Sequence, residues 1–151
     1  MEEEKLVGMV DITEKPPMHR TATTSGSIRL KESTIEAIKS GQVKKGDVLT
    51  TARLAAILAV KDTPRLILLC HPIPITALEV NFELEQERVK ATVTVTSVGK
   101  TGVEMEALTG VSAALLNVWD MVKYLEKDES GNYPETEIEE IKVLEKKKES
   151  V

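Results

Sequence analysis

Hydrophobic and polar residues alternate along three stretches of the chain, and this period of two predicts three β-strands. The first stretch runs from Arg20 to Leu30, where small and branched residues occupy every second position. The other two are separated by the polar segment Glu85–Glu87, which predicts a tight antiparallel hairpin. The apolar positions of this hairpin are Leu78, Val80, Phe82 and Leu84 in one strand and Val89, Ala91, Val93 and Val95 in the other.

Two segments in the first half of the chain carry the boundary residues of helices. Ser33 and Glu36 have the spacing of a capping box, and Gly41 stands where a C′ glycine belongs, which predicts a short helix over residues 34–40. A second helix is predicted to begin after Asp47, which is a suitable N-cap. This helix is expected to end before Pro64, because the residue that precedes a proline disfavours helical geometry.

The second half of the chain contains the longest predicted helix. Apolar residues recur every three or four positions over Val103–Lys127. The apolar residues of Ile138–Leu144 then indicate a last strand, with a helix as the alternative. Residues from Glu145 onward are expected to be solvated charge.

The predicted elements follow one another in the order β-α-α-β-β-α-β. With the short helix set aside, this is the split β-α-β order of a ferredoxin-like sandwich, an α+β fold. We therefore predict an antiparallel sheet with helices packed on one face. The predicted boundaries are an N-terminal arm over residues 1–18, a single ferredoxin-like domain over residues 19–146 and a charged tail over residues 147–151.

Composition excludes several classes of protein for this 151-residue chain. The 25 acidic residues outnumber the 20 lysines and arginines, which argues against a nucleic-acid partner. The single cysteine excludes an intrachain disulfide and a four-cysteine zinc site, and it suits a reducing cytosol. The longest unbroken apolar run, Leu54–Val60, is far shorter than a membrane span. We expect a cytoplasmic domain with no membrane partner.

Lys45, which directly precedes the predicted second helix, is the first candidate for chemistry. An ammonium group beside the free N–H groups of a helix N-terminus suits a phosphate. The segment lacks the second glycine and the Lys-Ser/Thr pair of a Walker A loop. The alternative is a capped helix preceded by a solvated lysine.

His71 is the second candidate, since it lies between an apolar run and two prolines, Pro72 and Pro74. Imidazole titrates near neutral pH, so a rigidly held histidine suits proton transfer. The alternative is a buried histidine that only satisfies its neighbours. One cysteine beside one histidine is too few ligands for a zinc site, and no metal site is predicted.

The two ends of the longest predicted helix carry the remaining candidates. Glu104 and Glu106 follow the Gly99–Gly102 loop, and carboxylates in a first turn also simply complement the helix dipole. Asp120 and Lys123 are three residues apart. This spacing fits an ordinary surface salt bridge or a partly buried proton-transfer couple.

The length of this helix restricts where a shared site can lie. Glu106 and Asp120 are fourteen residues apart, so they share a face but are separated by about 21 Å along the axis. One helix cannot bring both residues to one small substrate. If both serve one site, two chains contribute to it, which predicts a site at a subunit interface of a homo-oligomer. The alternative is that only one end is functional.

Five segments together resemble the molybdenum cofactor biosynthesis protein C (MoaC) family. They are MVDI at 9–12, KGDV at 45–48 with Ala52 and Arg53, LCHP at 69–72, GKTGVEMEALT at 99–109 and DMVK at 120–123. The resemblance extends from residue 9 to residue 127. It implies a ferredoxin-like α+β fold and a homohexamer, built as a trimer of dimers, with sites shared between subunits.

The resemblance also implies an activity. Members of the family are cyclic pyranopterin monophosphate synthases, which are lyases of molybdenum cofactor biosynthesis. They convert (8S)-3′,8-cyclo-7,8-dihydroguanosine 5′-triphosphate, a cyclised GTP, into cyclic pyranopterin monophosphate and diphosphate. Residues 19–146 would then be the catalytic domain.

Matching positions imply roles for individual residues of this chain. The catalytic residues implied are Asp120, Lys123 and Lys45, and the substrate-binding residues implied are Leu69, Cys70, His71, Met105, Glu106, Glu104 and Arg20. No cofactor is implied to be required, and whether Mg²⁺ assists stays open. The chain departs from the family near its C-terminus, where Glu139–Leu144 stands in place of a loop that is often rich in Gly and Lys.

Two other classes of function compete with this interpretation. A regulatory module would bind a small molecule without turning it over. A purely structural oligomer would use Asp120 and Lys123 as an ordinary ion pair and would show no response to a ligand. Thermal stabilisation by an anionic purine nucleotide would exclude the structural class.

Overall fold

The computed structural model describes residues 6–151, so residues 1–5 of the predicted arm lie outside the described residues. Its elements follow the predicted β-α-α-β-β-α-β order. They are β1 (Met18–Arg29), α1 (Glu32–Lys39), α2 (Val48–Leu66), β2 (Ile75–Leu84), β3 (Arg88–Gly99), α3 (Glu104–Glu126) and β4 (Glu137–Ser150). The four strands form one antiparallel sheet in the order β2-β3-β1-β4. The predicted α+β, ferredoxin-like fold class is confirmed.

The core lies between one face of this sheet and the helices. Every second residue of β3 from Val89 to Val95 is buried, as the alternation predicts, and these residues face α3. The hydroxyl of Thr24 on β1 donates to the Ala107 carbonyl of α3 at 2.8 Å. Arg53 of α2 donates to the Val80 carbonyl of β2 at 3.2 Å, which places α2 on the same face.

Gly110 permits the closest approach between α3 and its neighbours. A Cβ at this position would lie 2.7 Å from Val60 Cγ2 of α2 and 3.3 Å from Val93 Cγ1 of β3. Both valines are buried in the core, so neither has free space to move into. The glycine therefore sets the spacing between the helix pair and the sheet.

Gly110→Ala is expected to lower the free energy of unfolding by about 1–2 kcal/mol. Overpacking costs about 2–3 kcal/mol here, which exceeds the gain of about 1 kcal/mol in helix propensity. Gly8→Ala is the matched control, because a Cβ at Gly8 meets nothing within 4 Å. Urea denaturation of the two variants measures the difference, and a Gly110→Ala protein as stable as the control would contradict this packing.

The predicted end of α2 before Pro64 is wrong, because the helix continues to Leu66. The Ile67 N–H donates to the Thr63 carbonyl at 2.9 Å, which closes a last turn beyond the proline. Thr63 itself is fully buried, and its hydroxyl donates to the Ala59 carbonyl at 2.8 Å. Packing and this bond outweigh the local preference of a residue before proline.

The predicted capping box of α1 is also wrong, although Gly41 has the predicted left-handed conformation with φ at 70°. The helix begins at Glu32, so Ser33 lies inside its first turn. The Lys31 N–H donates instead to the carboxylate of Glu126, at 3.1 Å, at the end of α3. The acceptor at this helix end is therefore the Glu126 carboxylate, which is distant in sequence, and not the nearby Ser33 hydroxyl.

The last predicted segment is a strand, but the tail predicted for residues 147–151 is not separate from the sheet. Strand β4 runs to Ser150, and Lys147 and Lys148 pair with Thr21 and Arg20 of β1. The lysine side chains are exposed, as expected for solvated charge. Backbone pairing to β1 holds these polar residues in an ordered strand, since strand formation at a sheet edge needs no buried face.

Candidate functional site

Lys45, Asp120 and Lys123 form a compact cluster at the C-terminal end of α3. Lys45 Nζ lies 2.8 Å from Asp120 Oδ2, and Lys123 Nζ lies 2.9 Å from Asp120 Oδ1. Each carboxylate oxygen therefore faces one ammonium group. All three side chains are about half exposed, so the cluster is open to a ligand. The predicted Asp–Lys pair is present, and the predicted cation before α2 joins it.

The loop before α2 has a defined shape that brings Lys45 to this position. Gly46 has a φ of 114°, which favours glycine, and its N–H donates to the Val43 carbonyl at 3.1 Å. Asp47 caps α2 as predicted, because its Oδ1 accepts the Thr50 N–H at 2.9 Å. The turn and the cap together fix the backbone on both sides of Lys45.

The two lysines lower the pKa of Asp120 to about 2, the hydrogen bond from Lys45 contributing most and that from Lys123 next. The pKa of Lys123 is raised in turn by its hydrogen bond to Asp120. Asp120 is therefore fully ionised at neutral pH. A carboxylate held this way becomes a stronger base only when a ligand draws the lysines away from it.

The pH dependence of stability should reveal this cluster. Because the pKa of Asp120 is lower in the folded chain than its ordinary 3.8, the pair stabilises the fold above pH 3.8. That stabilisation is lost as the pH falls from 3.8 towards 2. We expect the unfolding free energies of wild type and Asp120→Asn to differ at pH 6 and to converge as the pH falls through 2. A difference independent of pH would contradict the paired carboxylate.

A cavity of about 380 Å³ lies at the other end of α3. Six of the predicted substrate-binding residues line it, namely Leu69, Cys70, His71, Glu104, Met105 and Glu106. Residues of the arm, Val10–Ile12 and Lys15, form part of its wall. The Lys100 ammonium group donates to the Thr13 carbonyl at 2.9 Å and so holds the arm. The arm belongs to the site, which its sequence pattern did not indicate.

Glu106 is the buried acid of this cavity, with 2% of its surface exposed. Burial raises its pKa, and the nearby charge of Glu104 raises it further. Burial also raises the pKa of the Cys70 thiol, so Cys70 lines the cavity as a thiol rather than a thiolate. A carboxyl group with a raised pKa that lines the same cavity as a histidine suits proton transfer.

Arg20 borders a smaller basic cavity of about 220 Å³ next to the first turn of α3. The other charged residues that line it are Lys146, Lys147 and Lys148 of β4. The Arg20 guanidinium donates to the Gly99 carbonyl at 3.0 Å, which orients it. Lys147 points to the opposite face of β4 from its two neighbours, and its Nζ lies 3.5 Å from Glu145 Oε1. Arg20, Lys146 and Lys148 are therefore the cations of this cavity that suit a phosphate group. None of these three lysines was predicted to bind a ligand; their signal is the KKK run at 146–148, of which Lys147 and Lys148 were assigned to the charged tail.

Glu104 connects the two cavities at this end of α3, since it lines the larger one and its Oε1 lies 3.2 Å from Lys146 Nζ. Its Oε2 is buried and has no hydrogen-bond partner among residues 6–151. A Cβ on Gly102 would overlap this carboxylate, so the glycine leaves the room that Glu104 occupies. An unpaired buried carboxylate oxygen is costly, and a proton or a donor from a ligand would satisfy it.

The structure therefore gathers the candidate residues into two clusters rather than one. Glu104 and Glu106 lie in the first turn of α3, and Asp120 and Lys123 lie near its last turn. The helix is continuous between them, so the clusters are about 21 Å apart along its axis. A single chain does not bring both clusters to one small molecule.

Neither a metal-binding cluster nor a membrane-spanning helix occurs among residues 6–151. No group of three or more His, Cys, Asp or Glu side chains within residues 6–151 is arranged to hold a metal ion. None of the helices there is both long and apolar enough to span a membrane.

Comparison with known proteins extends over both clusters. The sequence matches the MoaC family over residues 9–149. A relative from Methanococcoides burtonii, called a probable cyclic pyranopterin monophosphate synthase, is 61% identical over 95% of this chain and 90% of its own length. A protein of the same name from Thermococcus kodakarensis is 56% identical over 97% of this chain and 94% of its own length. A relative from Methanothermobacter thermautotrophicus, 56% identical over 97% of this chain and 92% of its own length, is called a probable cyclic pyranopterin monophosphate synthase accessory protein. The chain belongs to the MoaC family.

Proposed function

We propose that this chain is a cyclic pyranopterin monophosphate synthase of the lyase class. It converts (8S)-3′,8-cyclo-7,8-dihydroguanosine 5′-triphosphate into cyclic pyranopterin monophosphate and diphosphate, in molybdenum cofactor biosynthesis. The observation that carries the proposal is the Asp120 carboxylate held between Lys45 and Lys123, at 2.8 and 2.9 Å. The names of relatives that are more than half identical over nearly the whole chain support the same reaction.

The lysine-bound carboxylate has the parts that closure of a cyclic phosphate requires. Attack of a ribose hydroxyl on the α-phosphorus needs cations against the phosphates and a base for the hydroxyl proton. Lys45 and Lys123 supply the positive charge. When they turn to the phosphates, Asp120 loses the contacts that keep its pKa low, and it then accepts the proton.

The cavity at the other end of α3 supplies groups for rearranging the purine into a pterin. Opening and reclosing the guanine imidazole ring needs several proton transfers. Glu106 has a raised pKa and His71 lines the same cavity. We propose that these two exchange protons with the base, and that Leu69, Cys70 and Met105 form the apolar wall against it. The basic cavity with Arg20 and Lys146 binds phosphate beside them.

We propose that one active site combines clusters from two subunits of a homohexamer, a trimer of dimers. The separation of about 21 Å along α3 supports this, because one triphosphate substrate cannot contact both ends of a single helix. A two-fold axis that places the start of one α3 near the end of its partner's α3 forms two equivalent sites.

Lysine, arginine, histidine and carboxyl groups account for the charge and proton transfers in this proposal, which therefore needs no resident cofactor. Turnover measured with EDTA and with added Mg²⁺ tests this point. Equal rates in both conditions are expected. Activity abolished by the chelator and restored by Mg²⁺ would assign part of the phosphate chemistry to the metal ion.

A turnover assay with enzymatically prepared cyclised GTP tests the function. Oxidation of the product gives a fluorescent pterin, and diphosphate release is measured in the same sample. We expect both products from the wild type. Binding of the substrate without either product would overturn the synthase and support a regulatory module. No thermal shift with the substrate would leave only a structural role.

A further inference from the structure

Tyr124 connects α3 directly to the loop that carries Lys45. The backbone N–H of Lys44 donates to the Tyr124 hydroxyl oxygen at 2.8 Å. The Lys44 ammonium group also lies over the Tyr124 ring, 5.2 Å from its centroid. One aromatic side chain thus holds both the backbone and the side chain of the residue just before Lys45.

Tyr124 lies on the same turn of α3 as the charged residues Asp120 and Lys123. Tyr124 directly follows Lys123 and is one turn beyond Asp120. The Lys45 ammonium group donates two hydrogen bonds to that turn, one to Asp120 Oδ2 at 2.8 Å and one to the Asp120 carbonyl oxygen at 3.3 Å. Two contacts therefore join the loop to α3. Tyr124 of α3 binds the loop backbone at Lys44, and the Lys45 side chain of the loop binds Asp120 of α3.

We propose that Tyr124 is a positioning residue, which fixes the loop so that Lys45 meets Asp120. The inference rests on the proposed function for its effect on turnover, and on geometry alone for its effect on the ion pair. A lysine side chain has about 2 kcal/mol of rotamer entropy, so its reach to one carboxylate is sensitive to where its backbone starts. The contact to Tyr124 fixes the backbone from which the Lys45 side chain starts, before a substrate arrives.

Tyr124→Phe tests this, because it removes the hydroxyl acceptor and keeps the ring under Lys44. Turnover is expected to fall about fivefold, the factor that corresponds to one neutral hydrogen bond. The titration of the Asp120 carboxyl group, followed by carbon-13 NMR, should move upwards from pH 2 as its contact with Lys45 weakens. Ser112→Ala is the control, since it removes a hydroxyl that donates to the Leu108 carbonyl at 2.7 Å in the middle of α3, between the two clusters. Both readouts should match the wild type in this control.

A double-mutant cycle separates positioning from a general loss of stability. In a Lys45→Met background, Tyr124→Phe should change turnover by less than about twofold, because the side chain it positions is absent. An equal loss in both backgrounds would overturn the proposal, and so would an unchanged Asp120 titration in Tyr124→Phe. If the wild type has no turnover, the synthase proposal fails and the titration alone decides the role of Tyr124.

Discussion

Asp120→Asn is expected to reduce turnover of the cyclised GTP substrate by about 10³-fold, within the range for loss of a positioned general base. Asparagine keeps the shape and one of the two oxygens that the lysines contact, but it cannot accept the hydroxyl proton. Lys45→Met should reduce turnover by about 10²-fold, because it removes one cation from the developing charge. Initial rates of pterin formation measure both variants.

The control for these variants is Asp62→Asn. Asp62 has the same three-residue spacing to a cation, Arg65, at 3.9 Å, but it lies on α2 outside both clusters. Turnover by the Asp62→Asn variant should stay within about twofold of wild type, because an ordinary surface ion pair contributes little. Retention of more than a tenth of wild-type activity by Asp120→Asn would contradict its role as the base.

Glu126→Ala is expected to lower the free energy of unfolding by about 3–5 kcal/mol. The Glu126 carboxylate is fully buried and accepts hydrogen bonds from the Lys31 N–H, the Thr34 hydroxyl and the Thr136 hydroxyl. It thereby joins the end of α3 to the start of α1 and to the segment before β4. Alanine would leave three buried donors without their acceptor and would open a cavity.

Glu126→Gln is the matched variant for this prediction. Glutamine fills the same volume and keeps one acceptor oxygen, so a smaller loss of about 1–2 kcal/mol is expected. Guanidinium denaturation at pH 7 gives both values. A loss below about 1 kcal/mol for Glu126→Ala would show that these bonds do not hold the three segments together.

The elements with strong periodicity could be predicted because their pattern and their packing agree. Alternation in β3 and the three-to-four spacing in α3 each correspond to one buried face, and both elements lie where predicted. The cluster of Lys45, Asp120 and Lys123 could be predicted only in part from the sequence. Two of its members, Asp120 and Lys123, are three residues apart on one helix, so their contact was predictable. The contact from Lys45 depends on a loop conformation set by Gly46, which spacing alone does not specify.

The predictions that failed concern places where distant residues outweigh local preference. Ser33 looked like a cap, but the carboxylate that meets the start of α1 comes from Glu126, more than ninety residues away in sequence. Pro64 looked like a helix end, but burial of Thr63 carries the helix past it. Lys147 and Lys148 were assigned to a charged tail, and their side chains are exposed as expected, but their backbone pairs with β1, which no local pattern encodes.

We propose that residues from opposite ends of α3 act in one site formed by two subunits. A complementation experiment tests it most directly, by mixing Asp120→Asn with Glu106→Gln during refolding. Each variant alone should be nearly inactive, since every site lacks either Asp120 or Glu106. Random pairing restores both residues in about one quarter of shared sites, so about a quarter of wild-type turnover should return. Mixed oligomers that form but stay inactive would contradict a site shared between subunits.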